Sequence, residues 1–198
     1  MKMKRICLIL IGLATALGCN AQSEKDNNVI KSIMSRTSVR SYTGQTIQKK
    51  DLETIVKAGM SAPTAVNKQP WAFVVIDNKE MMNKLAEQLK NASMLKNAAA
   101  AIVVCGDLSL ALTGEGQEYW IQDCSAATEN ILLAAHSMGY GAVWCGIYPN
   151  KERMKVLYSE LSLPENVIPL NIIPIGVPDK KNEPKDKWKP ERLHWNKW

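Results

Sequence analysis

The chain has 198 residues and 46% hydrophobic content, which is enough to bury one substantial core and excludes a disordered or fibrous protein. Its formal net charge is 25 − 19 = +6, and three basic residues lie within the first eighteen, so the remainder carries 22 − 19 = +3. This modest charge does not favour nucleic-acid binding, and five cysteines without a Cys-x-x-Cys pair do not predict a structural zinc site.

The N-terminus has the pattern of an export signal. Basic residues precede an apolar run over residues 6–17, and the stretch Ala16-Leu17-Gly18-Cys19 resembles a bacterial lipobox. We therefore expect a signal over residues 1–18, a polar tether over residues 19–27 and a folded domain over residues 28–198. The expected location is outside the cytoplasm, facing the periplasm or cell exterior, with a lipid anchor at Cys19. Cleavage after Ala21 by the ordinary signal peptidase is the alternative.

Helical periodicity predicts five helices along the domain. Val29, Ile30, Ile33 and Met34 share one face of the first helix, which ends as the chain enters residue 36. The longest candidate is apolar nearly all round and is expected to be buried in the core or covered by a second copy of the chain. The other four predicted ranges are residues 49–60, 79–90, 117–138 and 151–161.

Short apolar or β-branched runs predict four strands. Residues 71–77 follow Pro70, and Ile102 to Cys105 form a short run before Gly106, where a buried helical segment is the less favoured alternative. Residues 142–148 and 170–177 complete the set. Strands that alternate with helices indicate two or three layers of sheet and helix.

The first cluster of residues that could bind a ligand directly follows the first helix. Arg36, Thr37, Ser38 and Arg40 place two guanidinium groups and two hydroxyls within five residues. Guanidinium groups form bidentate bonds with phosphate, and hydroxyls fill the remaining lone pairs. The cluster suits a phosphate, although a solvated Arg/Ser loop has the same composition.

The second cluster is the loop before the first predicted strand. It contains Pro63, Thr64, Asn67 and Gln69, and its amides can both donate and accept hydrogen bonds, as the polar edge of a flavin or nucleobase requires. An ordinary connection whose amides satisfy the backbone is the alternative.

The third cluster is a glycine-rich turn that continues into a predicted strand and includes Trp144, Cys145 and Gly146. Glycine permits close approach of the backbone to a flat ligand, and the same residues also suit a helix cap followed by a core strand. We expect Cys145 to be a small buried thiol rather than a nucleophile. His194, beside Trp195, is expected to pack rather than to donate protons.

Taken in this order, the three clusters resemble the nitroreductase family of FMN enzymes. The resemblance extends from Arg36 to the final tryptophan, through R-x-S-x-R, A-P-T-x-x-N-x-Q-P-W, the glycine turn and a tail of the form I-G-x-P with Lys185, Lys187 and the run Arg192 to Trp195. It implies an α+β nitroreductase-like fold, with a central mixed sheet flanked by helices, and a homodimer with FMN sites shared between the subunits.

The resemblance also implies individual roles. Arg36 and Ser38, with Thr37 between them, would bind the phosphate and ribityl end of FMN, and Arg40 would lie near the pyrimidine side of the ring. Lys185 and Lys187 would add phosphate contacts, with lysine at position 187 where members often have arginine. Pro63, Thr64, Asn67 and Gln69 belong to the loop that reaches the ring. Near Trp144, Cys145 and Gly146 the backbone would pass the flavin N5 atom.

The implied activity is ping-pong hydride transfer from NAD(P)H through FMN to a nitroaromatic, quinone or similar small aromatic acceptor. No catalytic side chain and no metal is required, because the flavin carries the chemistry. Three alternatives remain open at this point: a flavin-binding or partner-binding lipoprotein without catalysis, a relative of the reductive dehalogenases, and a flavin-destroying synthase.

Overall fold

The computed structural model describes residues 28–198. The predicted signal, the tether and the lipid anchor at Cys19 lie outside the described residues. Residues 28–35 form a helix, α1, that belongs to a separate unit of the chain from residues 36–198. Its four predicted apolar side chains are exposed, and Met34 has the largest exposed fraction at 73%. No helix among the described residues has the length and apolarity needed to cross a membrane.

The second unit contains four further helices and five strands. Its helices are α2 (Lys49–Met60), α3 (Lys79–Gln88), α4 (Tyr119–Ser137) and α5 (Lys151–Leu161). Its strands are β1 (Trp71–Ile76), β2 (Ala100–Asp107), β3 (Gly141–Ala142), β4 (Cys145–Gly146) and β5 (Val167–Gly176). Short 3-10 segments occur at Ala65–Asn67, Lys90–Asn97, Gly114–Gly116 and Pro190–Arg192.

The five strands form one sheet in the order β1-β2-β5-β3, and β4 also pairs with β5. Every ladder between these named strands is antiparallel. The α+β architecture is therefore as expected. A mixed sheet was also expected, and the parallel pairing in this sheet is the isolated bridge between Ser38 and Ala142. The parallel partner is the short segment after α1, which is too short to form a strand of its own.

The sheet separates two hydrophobic cores. One core packs α3, the segment Lys90–Asn97 and α5 against one face, with Leu85, Leu95 and Leu157 fully buried. The other packs α2 and α4 against the opposite face, with Ile55 and Ile131 fully buried. Alternate residues of β2 supply the two cores, as the two-residue repeat of a strand requires. The result is a three-layer arrangement in which α4 is buried beside the sheet, as its apolar surface predicts.

Candidate active site

The first cluster lies along the edge of the sheet beside the glycine turn. The backbone N–H of Val39 donates to the carbonyl of Ala142 at 3.0 Å, and Ser38 pairs with the same residue. Gly141 permits this approach, because a Cβ atom there would lie 2.7 Å from the side chain of Val39. The sheet therefore brings the arginine cluster and the glycine turn together, as the family resemblance requires.

A buried tyrosine fixes the other end of this segment. The hydroxyl of Tyr42 donates to the carbonyls of Val39 at 2.7 Å and Pro174 at 3.1 Å. Burial raises the pKa of this hydroxyl above its ordinary value. Tyr42 therefore stays neutral and holds the backbone on both sides of Arg40, whose own side chain is exposed.

Arg36 is ion-paired within the chain. Its Nε donates to Oε1 of Glu129 on α4 at 3.1 Å, and the exposed fraction of its side chain is 18%. A guanidinium group has five N–H donors, so this contact orients the arginine and leaves donors for an anion. Glu129 has no place in the sequence motif, and its role follows only from the fold.

Residues 141–148 run beside β5 in one continuous register. Ala142 lies opposite Ile175, Cys145 opposite Ile172 and Gly146 opposite Asn171. The predicted strand over residues 142–148 is therefore present but interrupted at Val143 and Trp144, which divides it into β3 and β4.

This register fixes the direction of the Gly146 amide. Ile147 donates to its opposite residue, Leu170, at 3.0 Å, so residues 147 and 170 are a hydrogen-bonded pair. Antiparallel pairs alternate between hydrogen-bonded and non-hydrogen-bonded, so Gly146 belongs to the second kind and its N–H and C=O both point away from β5. A Cβ atom at Gly146 would have nothing within 4 Å. Open space and an outward donor thus coincide at this residue.

Cys145 is buried next to this donor. Burial raises the pKa of its thiol to about 11, and the cations Arg40 and Arg153 lower it by a smaller amount. Its Sγ lies 3.8 Å from the sulfur of Met94. The thiol is therefore protonated and packed, as expected. Because Val39 bonds to Ala142, the backbone of the next residue, Arg40, lies beside the glycine turn.

The second cluster forms a strained loop. Val66, Asn67 and Gln69 have positive φ angles of 42°, 58° and 52°, a region that non-glycine residues rarely adopt. The loop is held by Asp123 at the start of α4, whose carboxylate accepts from the N–H of Ala65 at 2.8 Å. Backbone strain of this kind concentrates at ligand sites, which favours a functional role for the loop.

The polar side chains of this loop have free capacity. Gln69 donates through Nε2 to Oδ1 of Asn67 at 3.1 Å, and its backbone N–H bonds to Oγ1 of Thr64 at 3.0 Å. The amide nitrogen of Asn67 and the amide oxygen of Gln69 remain for a ligand. Pro63, Asn67 and Gln69 are exposed and Thr64 is half-buried.

The structure brings only part of the predicted set together within one chain. Among residues 28–198, no hydrogen bond or ion pair joins the loop with Asn67 to Arg40 or Gly146. Lys185 and Lys187 are exposed on the C-terminal segment, and neither is hydrogen-bonded or ion-paired with Arg36. The loop residues and the two lysines stay predicted site residues.

Two residues of this region were not anticipated from the sequence. Asn91 Nδ2 and Arg153 Nη1 each donate to the carbonyl of Gly146 at 3.0 Å. One feature of the sequence could have indicated Arg153, because a cation in the first turn of a helix is unfavourable at the positive end of the helix dipole. No such feature indicates Asn91.

The sequence model of the nitroreductase family matches residues 33–101 and 86–177. A protein of Archaeoglobus fulgidus, provisionally named as an NADH dehydrogenase/NAD(P)H nitroreductase, is 46% identical over 172 residues and covers 85% of this chain and 98% of its own length.

Two solved structures show the same fold. One, from Bacteroides thetaiotaomicron and given the same provisional name, is 42% identical, has a TM-score of 0.82 and covers 87% of this chain and 99% of its own. The FMN-dependent nitroreductase of Clostridium difficile is 28% identical, has a TM-score of 0.78 and covers 85% of this chain and 99% of its own.

Proposed function

The chain belongs to the nitroreductase family, and on this premise we propose that it is an FMN-dependent NAD(P)H oxidoreductase. The observation that carries the proposal is the sheet edge at Gly146. There an outward N–H and open space lie close to the turn at Ala142, whose carbonyl accepts from Val39, the neighbour of Arg40. A flat ring with a hydrogen-bond acceptor fits this edge.

The residues present fit FMN from end to end. Arg36, Thr37 and Ser38 supply donors for a phosphate, and Lys185 and Lys187 would add two point charges. Arg40 would lie near the pyrimidine side of the ring, and the amides of Asn67 and Gln69 would bond its polar edge. FMN, when bound, supplies hydride acceptance and donation at N5.

Arg40 has an electrostatic role in this scheme. Reduction places negative charge on the pyrimidine side of the ring, and a fixed guanidinium there favours the reduced state. Tyr42 and the pairing of Val39 with Ala142 hold the backbone around Arg40 in place, which fixes the point from which its exposed side chain extends. Hydride acceptance from a nicotinamide becomes easier as a result.

We also propose ping-pong turnover, in which NAD(P)H reduces the enzyme and a nitroaromatic, quinone or similar small aromatic compound then oxidises it. The visible spectrum of the purified protein tests FMN binding, and stopped-flow reduction by NADH and NADPH tests the donor. A yellow protein that neither nucleotide reduces would overturn the nicotinamide proposal. A protein that stays colourless with added FMN would overturn the flavin proposal.

The proposed enzyme is a homodimer with sites shared between subunits. One feature supports this assembly: large apolar side chains of the C-terminal tail are exposed. Trp188, Trp195 and Trp198 have exposed fractions of 65%, 80% and 99%. Exposed aromatic groups of this size are typical of surfaces that a partner covers.

We propose further that the mature protein is exported and anchored by lipid at Cys19. The support is the sequence pattern of residues 1–19. Mass spectrometry of the protein from its native membrane fraction tests this, since a lipidated Cys19 becomes the N-terminus. Recovery of a chain that begins at Met1 from the cytoplasmic fraction would contradict the proposal.

A further inference from the structure

The carbonyl of Gly146 is saturated by two donors from distant parts of the chain. Asn91 belongs to the 3-10 segment Lys90–Asn97, and Arg153 belongs to the first turn of α5. Each bond is 3.0 Å long. A carbonyl oxygen has two lone pairs, so these two bonds leave it no capacity for a third donor.

The saturated carbonyl lies on the same edge as the outward amide. The N–H and C=O of one strand residue point in the same direction, and at Gly146 both point away from β5. The next peptide N–H, that of Ile147, is already bonded to Leu170 at 3.0 Å. Gly146 can therefore donate a hydrogen bond to a ligand at this edge but cannot accept one.

We propose that Asn91 and Arg153 are positioning residues that hold Gly146 as a donor-only contact for the hydride-carrying nitrogen of the flavin. This inference rests on the proposed binding of FMN. Neither residue touches the cofactor in this scheme. Both act through the backbone of Gly146, which as a glycine has the most conformational freedom to lose.

The donor-only contact discriminates between the two states of the flavin. The ring nitrogen accepts a hydrogen bond when it is oxidised and donates one when it is reduced. A lone N–H therefore satisfies the oxidised state and leaves the reduced state without an acceptor. The contact lowers the relative affinity for reduced flavin and so opposes the effect proposed for Arg40.

Two locally unfavourable features accompany the pair. Arg153 is a cation in the first turn of a helix, where the dipole is positive. The Oδ1 atom of Asn91 is buried without a hydrogen-bond partner among the described residues, a situation that is rare in folded proteins. Both features are explained if the contact with Gly146 is what the two side chains provide.

The test is the ratio of dissociation constants for oxidised and reduced FMN in the variant Asn91→Ala. We expect this ratio to shift about three- to tenfold in favour of reduced FMN, because one lone pair of Gly146 becomes available for the reduced ring. Fluorescence titration of the apoprotein, under air and under dithionite, measures both constants.

The matched control is Asn130→Ala. Asn130 makes a bond of the same type, from Nδ2 to the carbonyl of Ala58 at 3.0 Å, and is partly buried in the same way. The control should lose stability like Asn91→Ala but keep the wild-type ratio. An equal shift in both variants, or none in a folded Asn91→Ala protein, would overturn the inference.

A measurement on the wild-type protein keeps the inference testable if the variants do not fold. In a sample labelled with nitrogen-15 glycine, oxidised FMN should move the amide signal of Gly146, which is assigned by its loss in Gly146→Ala. An unmoved signal in a protein that binds FMN would refute the inference alone. A wild-type protein that does not bind FMN would refute the proposed function instead.

Discussion

The fold orients the side chain of Arg36, whose role is ambiguous from the sequence motif alone. Its bond to Glu129 uses Nε and leaves the terminal nitrogens of the guanidinium for the FMN phosphate. We expect Arg36→Ala to weaken FMN binding by about 1.5–3 kcal/mol, the range for a hydrogen bond to a charged group. Fluorescence titration of the apoprotein measures the change. Lys155→Ala, an exposed cation on α5, is the control, and an unchanged affinity in Arg36→Ala would refute the assignment.

Gly146 offers a direct test of the outward amide. Proline at this position removes the N–H, and because that N–H lies outside the β5 ladder, we expect the strand pairing to survive. FMN affinity should fall at least about tenfold, since a hydrogen bond is lost and the ring of proline occupies the approach. Gly146→Ala keeps the donor and is the control. Equal FMN affinity of the folded proline variant and wild type would show that the amide has no part in binding.

At the scale of elements, the amphipathic helices were the best predicted. The predicted ranges 49–60 and 151–161 coincide with α2 and α5, because each has apolar residues at helical spacing on one face and polar residues on the other. The predicted strand over residues 142–148 is interrupted at Val143 and Trp144, and the segment with Ser38 pairs with its outer edge at Ala142. Pairing between segments so far apart in the sequence leaves no periodic signal.

Some residues of the candidate site could likewise be predicted from the sequence, and others could not. Arg36, Ser38 and Gly146 were predicted from motifs that follow one another in the order typical of the family. Asn91 was not found, because its contact is with a backbone carbonyl 55 positions away and the 3-10 segment around it has no regular apolar repeat. Interactions through the backbone carry no residue signature at the accepting position, so only the fold reveals them.

The end of β2 gives a prediction at this scale. Asp107 accepts bonds from Ser109 and from Asn166, which precedes β5, and the bonds with Ser109 and Asn166 hold the pKa of its carboxyl below the ordinary value. A lowered carboxyl pKa gives stability that is present above the unfolded-state pKa of about 3.9 and is lost as the pH falls through the folded-state pKa.

We therefore expect Asp107→Asn to be about 1 kcal/mol less stable than wild type at pH 7, a modest value because the carboxyl is partly exposed. The difference should shrink as the pH falls below about 4. Urea unfolding at both pH values measures it, with Asp186→Asn in the exposed tail as the control. A difference that grows in acid would contradict the sign of the argument.

At the scale of the whole molecule, the largest exposed apolar side chains favour an assembly of subunits. The described residues leave α1 and the C-terminal tail with their largest apolar side chains in solvent, while both cores beside the sheet are filled. Large exposed aromatic and aliphatic groups are typical of surfaces that a partner covers. In the proposed homodimer, a second subunit would cover such groups and contribute to the flavin site.

We therefore expect dissociation of the dimer to be accompanied by loss of FMN binding. We expect sedimentation analysis to give the mass of two chains, and the double variant Trp188→Ser with Trp195→Ser to weaken the dimer by about 2 kcal/mol or more, the scale of interface tryptophans. FMN should be released as the dimer dissociates, which an increase in flavin fluorescence on dilution would report. Leu110→Ser, which replaces an apolar side chain of 51% exposure outside α1 and the tail, is the control. A monomer that retains FMN would show that one chain completes the site and would overturn the proposed sharing of the site between subunits.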